Sequence, residues 1–190
     1  MTPHPVQLSV EYQARTARIH VVTRLALLIA VGTLGCSSIY WALYLALPAV
    51  VALLILQKGG AGYLEGDAPR AVRALRWLAS AYGYLWLLTD VLPTAGAGPV
   101  DLRVDVSGRP TATSALLRLI FSLPALLLVA VLSIVAGVLW LVGAIFVLAV
   151  ERVPRAIADV LVLFVKVQFR LFAYHLSLVD RYPSLRDASP

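Results

Sequence analysis

Charge is scarce in this chain, and so are cysteine and methionine. Of its 190 residues only 14% are Asp, Glu, Lys or Arg, with one Cys and one Met; soluble domains carry about 25% charged residues. A single cysteine, Cys36, excludes an intrachain disulfide framework. The three histidines, His4, His20 and His175, are too scattered for a metal-ligand set. A Gly-rich phosphate loop, a His-Glu pair at metal spacing and a nucleophile elbow are all missing. The expectation is a protein that is not an enzyme and needs no cofactor. Charge is absent altogether from two stretches, 25–57 and 119–150.

What the chain has is apolar surface. It is 61% hydrophobic, with a mean hydropathy of +0.87. Each uncharged stretch exceeds the ~20 residues that a helix needs to cross a bilayer, and a chain this small has no core able to absorb both. The net charge of +6 and pI of about 9.8 could indicate nucleic acid or lipid. The arginines flank the apolar stretches, and no basic patch with interleaved aromatics is present, so anionic lipid headgroups are expected and nucleic acid is not. Thr33-Leu34-Gly35-Cys36 faintly resembles a bacterial lipoprotein cleavage site. Cleavage there would destroy the first of two repeats, and a long segment precedes the apolar run. A small buried thiol and no removed leader are therefore expected.

The chain matches itself. Pro5-Val6-Gln7-Leu8-Ser9-Val10 and Pro99-Val100-Asp101-Leu102-Arg103-Val104 share P-V-x-L-x-V at a shift of 94 residues, and the same shift carries Arg24-Leu25 onto Arg118-Leu119. Tyr84, Asp90 and Pro93 map onto Tyr174, Asp180 and Pro183 at a shift of 90, which places Arg76 on Lys166. Two ordered sets of anchors point to two tandem repeats, 1–94 and 95–190, with four extra residues in the first. Alternation of apolar and polar residues predicts a short strand at about 5–12 and another at about 99–106. Apolar stretches 25–57 and 119–150 follow, and then amphipathic helices 69–90 and 154–180. The fold class expected is mainly α and integral to the membrane.

In helix 154–180, Arg155, Asp159, Lys166, Arg170, Ser177 and Asp180 fall in one stripe, which suits a helix lying in the membrane interface with its basic side outward. In helix 69–90, Arg70, Arg73, Arg76 and Ser80 do the same. Lys166 and Arg170 near mid-bilayer would cost ~2.5–3.5 kcal/mol each unless paired. The apolar stretches admit three readings: one long crossing after a kink at Pro124, a tight hairpin, or one crossing paired with a crossing by the amphipathic helix. Breaks for the hairpin are available at Gly32, Gly35, Cys36, Ser37 and Ser38, and at Ser133 and Gly137. Hairpins place all 16 Lys and Arg on one side, as the positive-inside rule favours, and bring both strands to the same side. Hairpins are the preferred reading, and one long kinked helix is the alternative.

Candidate structural or interaction residues are Arg76, Tyr84, Asp90, Lys166, Arg170, Tyr174, Asp180 and Tyr182. Asp90 and Asp180 each follow a matching tyrosine by six residues. A carboxylate is unfavourable at a helix C-terminus, so each needs a cation or backbone N–H partner; Arg181 is the candidate for Asp180. A proton or ion relay at the surface is the functional alternative. His175, opposite the charged stripe, is expected to be packed.

Pro154-Arg155-Ala156, Ala173-Tyr174 and Asp180-Arg181-Tyr182-Pro183 resemble an uncharacterised bacterial membrane-protein family, domain of unknown function 4389. Its pattern has a Tyr-Pro before an amphipathic helix, an Arg-Trp within it, an Ala-Tyr and a closing Asp-x-Tyr-Pro. Arg76-Trp77 fits in the first repeat. The departures are Asp90-Val91-Leu92-Pro93 without the tyrosine, Lys166-Val167 in place of Arg-Trp, and Tyr63-Leu64 and Val153-Pro154 in place of Tyr-Pro. The resemblance implies a membrane protein of the bacterial envelope and supplies no reaction; the location expected is the bacterial inner membrane, multi-pass, with cytoplasmic termini from charge placement. The function expected is a non-enzymatic membrane scaffold or accessory subunit that docks on other integral membrane subunits. The alternatives are a small oligomeric channel or carrier and a membrane-shaping hairpin protein.

Overall fold

The computed structural model describes residues 4–33, 36–93 and 98–183, with backbone alone for 31–33 and 36–44. The elements are β1 (Val6–Val10), α1 (Arg18–Thr33), α2 (Cys36–Gly66), α3 (Ala68–Leu85), β2 (Val100–Val104), α4 (Ala112–Phe121), α5 (Leu123–Val150) and α6 (Arg155–His175). A strand followed by three helices thus occurs twice. The fold is mainly helical.

The strands form where alternation predicts them, but shorter, with Val6, Leu8, Val100 and Leu102 buried. They pair antiparallel with Leu8 opposite Leu102, Val6 opposite Val104 and Val10 opposite Val100. A two-stranded ribbon is marginal alone, and helices cover its buried face: α6 lies on β1 and α3 on β2. The exchange extends to the apolar helices, since α4 packs on α2 and α1 packs on α5. Each half of the chain is therefore completed by the other. Trp140 donates its indole N–H to the Leu85 carbonyl at 2.8 Å, and the Tyr63 hydroxyl donates to the Leu176 carbonyl at 2.5 Å. Each half thereby satisfies a carbonyl at the end of the other half's amphipathic helix.

Three expectations are corrected. The apolar stretch 119–150 is not a hairpin turning at Ser133 and Gly137. α5 runs unbroken through both, for about 42 Å at 1.5 Å per residue. The break lies earlier, at Ser122, where Pro124 opens α5 in the first turn that tolerates it. The expected break at Gly35 lies outside the described residues. Second, α6 is the core helix and does not lie with a solvated basic stripe. Phe164, Val165, Phe169 and Leu171 are buried on it, as are Gln168 and Arg170, at 4% and 2% exposure. Third, the amphipathic helices stop at Leu85 and His175, so Asp90 and Asp180 lie beyond their ends. Leu87 and Ser177 adopt φ of 62° and 54°. With Leu88 N–H donating to Gly83 O and Leu178 N–H to Ala173 O, both helices close in a left-handed C-terminal turn. α3 keeps its arginine side outward, with Val72, Leu75 and Ala79 inward and Arg70 and Arg73 exposed, but Trp77, expected on the apolar side, is exposed as well.

Among the described residues, two helical spans are long and apolar enough to cross a membrane: Leu45–Gly66 of α2, which is kinked at Gly59 (φ 75°), and Leu123–Val150 of α5, with mean hydropathies of 1.6 and 2.9. In the most apolar 18-residue window of each, 22% is buried within the protein.

Candidate functional site

Two buried arginines organise the most polar parts of the interior. Arg24 comes from α1 and is fully buried. Its Nε donates to the Tyr84 carbonyl at 2.6 Å, and its Nη2 donates to the Thr89 carbonyl at 2.7 Å and to Asp90 Oδ1 at 2.8 Å. The guanidinium carbon lies 4.6 Å from the centre of the Tyr84 ring. Arg118, from α4, repeats the arrangement. Its Nη1 donates to the Tyr174 carbonyl at 2.9 Å and the Val179 carbonyl at 2.6 Å, its Nη2 pairs with Asp180 Oδ1, and its carbon lies 4.6 Å from the Tyr174 ring centre.

The electrostatic logic follows from the helix ends. After α3 and α6 terminate, the carbonyls at their ends keep acceptor capacity beyond one backbone N–H at most (Leu87 N–H on Tyr84 O at 3.4 Å, Ser177 N–H on Tyr174 O at 3.0 Å), and a guanidinium supplies planar donors to several of them at once. The free carboxylate oxygens do the converse. Asp90 Oδ2 accepts from the Ala17 N–H at 2.8 Å, just before α1, and Asp180 Oδ2 accepts from the Arg109 N–H at 3.0 Å, ahead of α4. A carboxylate beside a helix start is favoured by the dipole. Each ion pair therefore ties the start of an apolar helix to the end of an amphipathic one. The guanidinium that pairs with Asp180 is that of Arg118.

The structure gathers Tyr84 and Asp90 around Arg24, and Tyr174, Asp180 and Tyr182 around Arg118; the Tyr174 and Tyr182 rings meet edge-on at 5.9 Å. Tyr84 also meets His20, its hydroxyl 3.2 Å from Nδ1. Arg76, Lys166 and Arg170 are elsewhere. Arg76 hydrogen-bonds the Leu102 carbonyl at 3.1 Å. Lys166 borders a cleft of about 290 Å³ between β1 and α6, together with Asp159, Val162, Tyr12 and Gln13. Burial, with Arg170 nearby, lowers the Lys166 ammonium below its usual value. Burial also raises the Tyr174 phenol, against the opposing pull of Arg118. His175 is packed as expected, and burial together with the Arg118 charge pushes its imidazole down to about 4. Sequence reasoning missed the role of Arg24 and Arg118. Their signal was present in the Arg-Leu match at the head of each apolar stretch.

Residues 112–185 match the family described as Domain of unknown function (DUF4389). The match takes in α4, α5, α6 and the whole Arg118 cluster. One copy is matched, not two in tandem, and the N-terminal half lies outside it. No curated protein and no solved structure matches the chain. Among the described residues, no three His, Cys, Asp or Glu side chains gather as metal ligands would.

Proposed function

We propose that the chain is an integral membrane scaffold or accessory subunit, built from two related halves, whose outer apolar face meets lipid and other membrane subunits. The observation that carries this reading is the outer face of α5, where Leu127, Ile134, Val138, Leu141 and Ile145 are 57–70% exposed. A surface of this kind is untenable in water. The buried ion pairs fit a structural role, since both lie in latches between helices and not along a path through them.

The strands support entry and return of both apolar stretches on one face of the membrane. The ribbon has five residue pairs, about 17 Å of strand, with Asp101 and Arg103 exposed on it. It lies flat at an interface more easily than it crosses a hydrocarbon core of about 30 Å. The chain near Arg152 is tied beside one end of the ribbon through the Tyr12 hydroxyl and Val153 carbonyl, 2.6 Å apart. Arg109 follows β2 at the other end. The connections 33–36 and 121–123 carry no charge. The family resemblance supports a bacterial inner membrane, and the positive-inside rule supports cytoplasmic termini.

Alkaline carbonate extraction tests the first claim: the chain should stay with the membrane, and release into the supernatant would refute it. Single cysteines replacing Arg109 and Arg152, in a Cys36→Ser background, test the second. Both should label from the cytoplasmic side; labelling from opposite sides would show one crossing per stretch. Co-purification from native membranes should bring down another integral subunit, and a lone monomer there would count against the scaffold role.

A further inference from the structure

α3 presents two guanidinium groups that have no ionic partner among the described residues. Arg73 and Arg76 border a cleft of about 420 Å³ between α3 and β2, with Leu64, Ala68, Pro69, Val72, Val104 and Val106. The volume falls within the ~300–1,000 Å³ typical of small-ligand sites. The Arg76 hydrogen bond to the Leu102 carbonyl fixes one edge of its guanidinium and leaves both Nη nitrogens for another acceptor. Residues three apart on a helix have Cβ atoms about 5–6 Å apart, so the two forks can converge on one tetrahedral anion.

Three features define that anion. None of the lining residues is acidic, so the cleft offers no countercharge to a choline or ethanolamine cation. The rest of its lining is apolar, which suits glycerol and the first methylenes of an acyl chain. Trp77 is 58% exposed on the same outer flank of α3, as expected for an aromatic at a membrane interface. The protein contains its own contrast. The cleft between β1 and α6 occupies the matching position in the other half, but Asp159 and Lys166 line it, and their charges cancel.

We propose that the α3–β2 cleft binds the phosphodiester headgroup of an anionic phospholipid. This rests on the membrane reading above and adds a defined lipid site to it. The test uses the full chain, delipidated in neutral detergent and analysed by native mass spectrometry. Phosphatidylglycerol adducts should exceed phosphatidylcholine adducts by about tenfold, a modest binding difference for a two-arginine phosphate site. Arg73→Gln with Arg76→Gln should erase the preference, and Lys166→Gln should leave it intact. Arg73→Gln alone, which removes no ion pair or side-chain hydrogen bond among the described residues, should lower the preference even if the double variant does not fold. Equal binding of the two lipids by the wild type, or an undiminished preference in a folded double variant, overturns the proposal. Displacement by millimolar inorganic phosphate without a preference for phosphatidylglycerol overturns the lipid assignment in favour of free phosphate. A chain that stays in carbonate-washed membranes yet shows no lipid preference loses the site and keeps the membrane reading.

Discussion

Replacing Arg24 with methionine should be the most damaging conservative-volume change in the chain. Methionine fills much of the space of the arginine stem but removes every donor. The Thr89 carbonyl loses its guanidinium donor, the Tyr84 carbonyl keeps only the long bond from the Leu87 N–H at 3.4 Å, and Asp90 loses its countercharge. The Asp90 side chain is only 18% exposed, so water restores little of what is lost. Breaking a buried pair from one side costs about 3–5 kcal/mol, and that is the range expected here. Arg118→Met makes the same deletions, but Asp180 is 51% exposed and can rehydrate, so its loss should be about 1–2 kcal/mol smaller. Arg24→Lys keeps the charge but cannot reach two carbonyls and a carboxylate with one planar fork, and should recover less than half the loss. Denaturant titration of the detergent-solubilised chain, followed by circular dichroism, gives the ordering. A larger cost at Arg118 than at Arg24, or a cost below about 1 kcal/mol at Arg24, would refute the account of these clusters as helix latches.

Three further outcomes are expected. His175 stays neutral in the fold down to about pH 4, against 6.5 for its ordinary value. The unfolded chain therefore takes up the proton first, and stability contributed at this position falls as pH drops from 6.5 to 4; His175→Phe should flatten that part of the pH profile of thermal unfolding. Ser177→Gly should stabilise by about 1 kcal/mol, because glycine takes the left-handed conformation without a Cβ penalty, and an unchanged denaturation midpoint would deny any strain there. Gly60→Ala should cost about 1–3 kcal/mol by overpacking, since the new Cβ would sit 2.5 Å from the Pro110 carbonyl oxygen. Gly137→Ala, with open space at its Cβ, is its control in the same titration.

Features written in local pattern were legible in the sequence. Alternation located both strands, and the Pro-Val-x-Leu-x-Val match anticipated their partnership. Tyr84 with Asp90 and Tyr174 with Asp180 were singled out by spacing alone. What failed required knowledge of neighbours. The α6 stripe looked solvated because helical periodicity reports where polar residues lie, not what lies against them, and Arg170 turned out to be buried in the core. The apolar stretch of the second half had no charge to mark its fold, and small residues such as Ser133 and Gly137, tolerated inside membrane helices, imitated a turn. Arg24 and Arg118 were visible as a repeated pair, yet each finds its aspartate more than 60 residues away, a distance that no local window spans.

The pairing of Leu8 with Leu102 has a consequence during synthesis. β1 leaves the ribosome 94 residues before its partner, which at about 5–20 residues per second is a wait of about 5–20 s. Through that interval the first strand has an open edge, and α1 lacks the α5 surface on which it packs. The nascent N-terminal half must therefore be held by the insertion machinery or by lipid until the second half arrives. A chain truncated after residue 98 should be a substrate for quality-control proteolysis, not a working half-protein.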